Sequence, residues 1–182
     1  INMGVGYWRS ASLIKQITER SRTRRSYPGK LMGLAGYGTV KEKMLSHLRQ
    51  FFITRDGNIA DMIRGRNYYH GNGGRNFAAT IQKTLEDLLF KELDKHNTHI
   101  PLVVTGGCAL NVIINEKIKN KYKREVYIPP NPHDGGLSLG HMFFYQKPKE
   151  RVDVTYNGLP LLDRDKLKDY NTKKVTKKDI AR

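Results

Sequence analysis

Pro101-Leu-Val-Val-Thr-Gly-Gly-Cys-Ala-Leu-Asn-Val-Ile-Ile-Asn-Glu-Lys-Ile118 is the stretch whose reading decides the fold. Residues 101–105 form a short β-branched run that ends in Gly106-Gly107, and Leu110, Ile113, Ile114 and Ile118 follow at helical spacing. The pattern predicts a strand, a glycine turn and a helix. The unit recurs in outline downstream. Glu125-Val-Tyr-Ile128 reads as a second strand, residues 129–133 as a proline-rich loop, and Gly135-Gly136 opens a helix carrying Leu139, Met142 and Phe143. Two such units in succession predict an α/β sheet flanked by helices.

Upstream, residues 76–93 carry Phe77, Ile81, Leu85 and Leu88 at steps of three and four, which puts them on one stripe of a long amphipathic helix. Tyr68-Tyr-His-Gly-Asn-Gly-Gly74 before it reads as a loop, and Asp56-Gly57-Asn58 as a turn. Residues 41–52 show helical spacing through Met44, Leu48 and Phe51. The stretch Tyr27-Pro-Gly-Lys-Leu-Met-Gly-Leu-Ala-Gly-Tyr-Gly38 holds four glycines. At about 1 kcal/mol each relative to Ala, these predict a turn, a brief apolar segment and a second turn rather than a helix. Residues 4–17 read as a short helix running into an exposed loop with Arg20, Arg22, Arg24 and Arg25, which lacks interleaved aromatics for stacking on bases.

The chain has 182 residues, enough for one compact core. Its net charge of +16 favours phosphate-bearing ligands, nucleic acid or an anionic surface without choosing among them. Cys108 is the single cysteine, which excludes an intramolecular disulfide framework and makes a reducing, cytoplasmic setting the expectation. No run of about 18 apolar residues occurs, so no membrane span is expected. The first residue is Ile1 rather than Met, which fits a piece of something longer. From Lys147 on, the last 36 residues hold eleven Lys/Arg and six Asp/Glu with few apolar anchors, and read as a basic linker.

A glycine pair between strand and helix lets a ligand approach the backbone, and the free N–H groups of the following helix attract phosphate. Gly106, Gly107, Gly135 and Gly136 have that context. Asn111 offers a carboxamide for a ribose or base, against the plainer reading of a solvated helical asparagine. Asp134 is placed either as a helix N-cap or as a hard anionic metal ligand beside phosphates. Lys30 offers a point charge to a phosphate. No histidine pair makes a two-histidine metal site.

Three ordered motifs, Lys30-Leu-Met-Gly-Leu-Ala-Gly-Tyr-Gly38, Val104-Thr-Gly-Gly-Cys-Ala-Leu-Asn111 and Pro132-His-Asp-Gly-Gly-Leu-Ser-Leu-Gly140, together resemble the NodU/CmcH-type O-carbamoyltransferases over residues 4–145. The resemblance implies an actin-like ASKHA domain of the Kae1 type with a mixed sheet. Residues 1–146 would be its second lobe, and residues 147–182 a linker towards a YrdC-like domain. It implies ATP as cofactor with a divalent metal, Fe or Mg, and carbamoyl phosphate and an acceptor hydroxyl compound as substrates. A first lobe and the YrdC-like domain would be partners, in the same or a neighbouring chain. In the family, the positions matching Gly106, Gly107, Asn111, Gly135 and Gly136 contact nucleotide and the position of Asp134 binds metal. Cys108 stands where the family usually has valine, and is expected to be buried and inert. The alternatives are a Kae1-type threonylcarbamoyl transferase, an ASKHA kinase, or a non-enzymatic basic nucleic-acid-binding module.

Overall fold

The computed structural model describes residues 3–53, 69–96 and 100–150. The chain divides into two compact units, Ile1–His141 and Met142–Arg182. The helices are α1 (Met3–Ala11), α2 (Lys15–Glu19), α3 (Tyr27–Ala35), α4 (Glu42–Ile53), α5 (Gly71–Leu93), α6 (Val112–Tyr122) and α7 (Leu137–Gln146). Strands β1 (Leu102–Val103) and β2 (Val126–Tyr127) flank α6 in sequence, and 3-10 turns at Gly107–Leu110 and Asp134–Gly136 precede α6 and α7. Asp56-Gly57-Asn58 and the basic linker past residue 150 lie outside the described residues.

The long amphipathic helix is α5. Phe77, Ala78, Ile81, Leu85 and Leu88 are buried on it and share one apolar cluster with Ile14, Ile17, Leu31, Leu48, Ile114 and Ile118. The helix starts at Gly71, five residues earlier than the apolar spacing suggested, so residues 71–74 of the expected 68–74 loop are helical. Tertiary contacts hold this glycine-rich first turn. Gln16 Nε2 donates to the Gly71 carbonyl at 2.9 Å, Tyr69 bridges to Ile14, and the Tyr69 ring stacks on Phe77 with centroids 4.0 Å apart.

The clearest departure from the sequence reading is α3. Residues 27–35 are helical, not a pair of turns. Pro28 sits in the first helical turn, where its missing N–H costs nothing. Tyr27, Leu31 and Ala35, spaced by four, are all buried. Burying Leu31 alone contributes about 1.5–3 kcal/mol, which with Tyr27 offsets two helical glycines at about 1 kcal/mol each. A Cβ added at Gly29 or Gly33 meets nothing within 4 Å, so these glycines lie on the open face. Gly38 differs, because a Cβ there would stand 2.0 Å from the carbonyl oxygen of Arg75, in the first turns of α5.

The two strands pair in parallel, Leu102 with Val126 and Val103 with Tyr127, as a connection through the single crossover helix α6 requires. The chain is thus helix-rich α/β. Among the described residues the sheet has two parallel strands, where a mixed sheet was expected. Leu102, Val104 and Val126 pack against the core, while Val103 and Tyr127 are exposed. Among the described residues no helix is long and apolar enough to cross a membrane.

Two alanine substitutions separate the helical account of residues 27–38 from the turn account. Gly33→Ala should stabilise the chain by about 0.5–1 kcal/mol, because alanine suits an open helical position. Gly38→Ala should destabilise it by about 1–3 kcal/mol through overpacking against α5. Chemical denaturation measures both, and a Gly33→Ala variant less stable than the parent would contradict the helix.

Candidate functional site

Both glycine turns are built by strands that end early. At the end of β1, Gly106 adopts φ +87°, a left-handed conformation that favours glycine, and its N–H donates to the Pro132 carbonyl at 2.6 Å. This bond joins the first turn to the loop that leads into the second. A Cβ at Gly107 meets nothing within 4 Å, so that position is open. At Gly136 a Cβ would lie 2.2 Å from the Asn131 carbonyl oxygen, so glycine is required there by close packing.

Asn111 is not a solvated helical asparagine. It is the N-cap of α6, buried, with Oδ1 accepting from the Ile114 N–H at 3.1 Å. Its amide is engaged again by Gln82 of α5: Asn111 Nδ2 donates to Gln82 Oε1 at 3.0 Å, and Gln82 Nε2 lies 3.3 Å from Asn111 Oδ1. The network continues in two directions. Tyr7 of α1 donates its hydroxyl to Gln82 Oε1 at 2.7 Å, Gln82 Nε2 donates to Glu86 Oε1 at 3.0 Å, and Lys117 Nζ of α6 closes on Glu86 Oε2 at 2.6 Å. Burial pushes the Tyr7 hydroxyl far above its ordinary range. The neighbouring Asn111 amide works against that shift, and the charge of Glu86 adds to it. Tyr7 therefore remains a neutral donor.

Tyr7 and Asn111 line a cavity of about 660 Å³ between α1, α3 and the 107–110 turn. That volume falls in the range of small-molecule sites. Leu85, Met32 and Leu110 give it apolar walls, and Arg25 and Lys30 bring positive charge. Gly107 and Cys108 face the same space. Lys30 rests with its Nζ donating to the Arg20 carbonyl. The cavity thus brings together Lys30 of the first motif with Gly107 and Asn111 of the second. Gly135, Gly136 and Asp134 are not among its walls. Cys108 is half-buried rather than fully buried, and burial pushes its thiol pKa up, which disfavours the reactive thiolate.

Asp134 does not cap its turn. The cap is the neighbouring His133, whose Nδ1 accepts from the Gly135 N–H at 3.0 Å, leaving the Asp134 carboxylate exposed. Among the described residues, no group of three His, Cys, Asp or Glu side chains is placed to hold a metal ion. Sequence reasoning missed Tyr7, Gln82 and Glu86. The available signal was Gln82 and Glu86, one turn apart and beside the apolar stripe of α5.

Removing the centre of the network should cost stability in a coupled way. Gln82→Leu strands the Asn111 amide and the Tyr7 hydroxyl, at about 1–3 kcal/mol, and Tyr7→Phe costs about 1 kcal/mol. The double variant should cost less than the sum by at least about 0.5 kcal/mol, measured by urea denaturation. Strict additivity would show that the two side chains do not share the bond.

Residues 58–142 match the family model described as carbamoyltransferase N-terminus. The matched stretch holds the second and third glycine motifs, and the first lies outside it. Two uncharacterized proteins of Methanocaldococcus jannaschii are similar. MJ1051 is 32% identical over 114 residues, covering 54% of this chain and 22% of that protein. MJ1058 is 30% identical over 134 residues, covering 65% and 22%. The chain therefore spans about a fifth of the length of these relatives. No solved structure matches it. The likeness to the carbamoyltransferase N-terminus is thus carried by residues 58–142, fewer than half of this chain.

Proposed function

We propose that the chain is the nucleotide-proximal part of an O-carbamoyltransferase of the NodU/CmcH type, built on an ASKHA-like, Kae1-type lobe, and that its cavity holds ATP or carbamoyl-adenylate. The observation that carries this reading is the convergence of Lys30, Gly107 and Asn111 on one cavity of nucleotide-compatible size. The residues fit such a ligand. Apolar walls from Leu85, Met32 and Leu110 suit a flat base, the open backbone at Gly107 permits close approach, and Arg25 and Lys30 suit phosphate. Lys30 would exchange the Arg20 carbonyl for phosphate oxygen. Asn111, held from behind by Gln82, would keep the turn in place rather than lend its oxygen to the ligand.

In the reaction, the acceptor hydroxyl oxygen bonds to the carbamoyl carbon, the bond from that carbon to the phosphate oxygen of AMP breaks, and AMP leaves with the electron pair. The acceptor's hydroxyl proton is released to solvent as the carbamate forms, which balances the step. Carbamoyl phosphate, the acceptor compound, a first lobe and a YrdC-like domain complete the proposal from outside the described residues. A divalent ion on Asp134 would need further ligands that the described residues do not supply, so no step runs through it. Gly135 and Gly136, away from the cavity, would meet the phosphates only as part of the assembled enzyme.

Gly107→Val is the sharpest test, because the added side chain enters open space without backbone conflict. Stability should change by no more than about 0.5 kcal/mol. ATP affinity in calorimetry should fall at least about tenfold, or about 1.4 kcal/mol. Unchanged ATP affinity in a folded variant would refute the nucleotide assignment of this cavity. In the complete enzyme, Asp134→Asn should lower metal content if Asp134 is a ligand, and should leave the fold intact because His133 supplies the cap.

A further inference from the structure

The segment between α2 and α3 carries Arg20, Arg22, Arg24 and Arg25, all exposed. No Asp or Glu occurs from residue 20 through residue 41. Among the described residues the ion pairs all lie elsewhere, at Glu19, Glu86, Asp87, Glu92 and Asp94, and none involves these four arginines. The backbone of the segment, in contrast, is tied down at the carbonyls of Arg20, Thr23 and Arg24. Lys30 Nζ donates to the Arg20 carbonyl, Ser26 Oγ to that of Thr23 at 2.8 Å, and Trp8 Nε1 to that of Arg24 at 3.1 Å. The Tyr27 N–H also bonds to the Arg24 carbonyl. Main-chain acceptors are thus spent on the fold, and four guanidinium groups are left to solvent on a fixed ribbon beside the cavity, with Arg25 reaching its wall.

Concentrating four like charges on a fixed ribbon is unfavourable for folding and makes no internal pair in return. Guanidinium forks match phosphate oxygens bidentately. From these observations we propose that the Arg20–Arg25 segment binds the sugar–phosphate backbone of a nucleic acid beside the cavity, with Arg20, Arg22 and Arg24, which do not line the cavity, making the contacts that are independent of the carbamoyl-transfer reading. The chain-wide charge of +16 supplies the long-range attraction that such a partner exploits. An anionic membrane is the less suitable polyanion, because none of the exposed large apolar side chains falls between residues 20 and 30 to enter a bilayer. The absence of stacking aromatics in the segment points to backbone contact without base readout.

The test uses the full chain and a fluorescein-labelled single-stranded oligonucleotide, with anisotropy read across a salt series. Replacing Arg20, Arg22 and Arg24, which are exposed and do not line the cavity, together by Gln should flatten the slope of log affinity against log salt by about 2, at about 0.7 per phosphate contact. A control with Lys43, Lys91 and Lys119 replaced by Gln removes the same charge from exposed sites elsewhere and should change the slope by much less. Far-UV circular dichroism establishes that both variants are folded, and the single variant Arg22→Gln, with an expected slope change of about 0.7, repeats the measurement with less perturbation. Equal slope changes in the two triple variants would overturn the proposal. So would an absence of binding at low salt, or arginine-dependent binding to phosphatidylserine vesicles with none to the oligonucleotide. ATP affinity is measured in parallel: its loss in Gly107→Val with oligonucleotide binding intact would separate the two sites, whereas loss of ATP binding alone in the arginine variant would show that the segment serves the nucleotide and not a nucleic acid.

Discussion

The burial of the α5 stripe against the elements around it is the constraint from which the first unit follows. Phe77, Ile81, Leu85 and Leu88 make a continuous apolar surface, and the buried residues of α1, α2, α3, α4 and α6 join the same cluster. Short elements need this support. Helix α2 has five residues and α3 nine with two open-face glycines, and isolated helices of that length are marginal in water. Polar groups on α5 serve the same end. Thr80 and Thr84 return their hydroxyls to the carbonyls one turn back, at 2.6 and 2.8 Å, and Thr80 also accepts the Lys41 N–H at 3.0 Å at the start of α4.

The candidate site inherits its geometry from that helix. One side of α5 contributes Leu85 to the cavity wall, and its neighbours Gln82 and Glu86 fix Tyr7 and Asn111 from behind. Glu86 is buried with Lys117 as its counter-charge, so the network ends in a neutralised pair rather than an isolated charge. A further cluster ties α5 to α6 at the far end. Asp94 accepts from both Lys121 and Tyr122 at 2.7 Å, and these hydrogen bonds hold its carboxyl below the usual range even though it is exposed. On the other flank, burial raises the pKa of Asp87, but hydrogen bonds from Lys83 and Arg49 outweigh that effect and hold it low.

Elements governed by local periodicity were legible in the sequence. The α5 stripe, α4, α6 and the two strand–glycine–helix units all follow from spacing that survives into the fold. What escaped was decided by tertiary contact. Residues 27–35 have the glycines of a turn, and only the partner surface of α5 makes Leu31 worth burying in a helix. Gly71 to Gly74 look like a loop until Gln16 and Tyr69 are placed against them. The site shows the same division. Gly106, Gly107 and Asn111 were marked by their position between strand and helix, but the role of Asn111 as a buried cap depends on Gln82, 29 residues away in the chain. Asp134 was the obvious cap by residue type, and His133 took that role because its ring nitrogen reaches the Gly135 N–H.

The central claim is that α5 holds α3 and the 107–110 turn in one cooperative unit and so keeps the cavity formed. Native-state hydrogen exchange tests it directly. The account predicts that amides of α3 and of the first turns of α6 are protected and exchange through the same opening that exposes the centre of α5. If residues 27–35 exchange as fast as the exposed segment before them while α5 remains protected, the helix and the cavity wall it forms are not part of that unit, and the account fails.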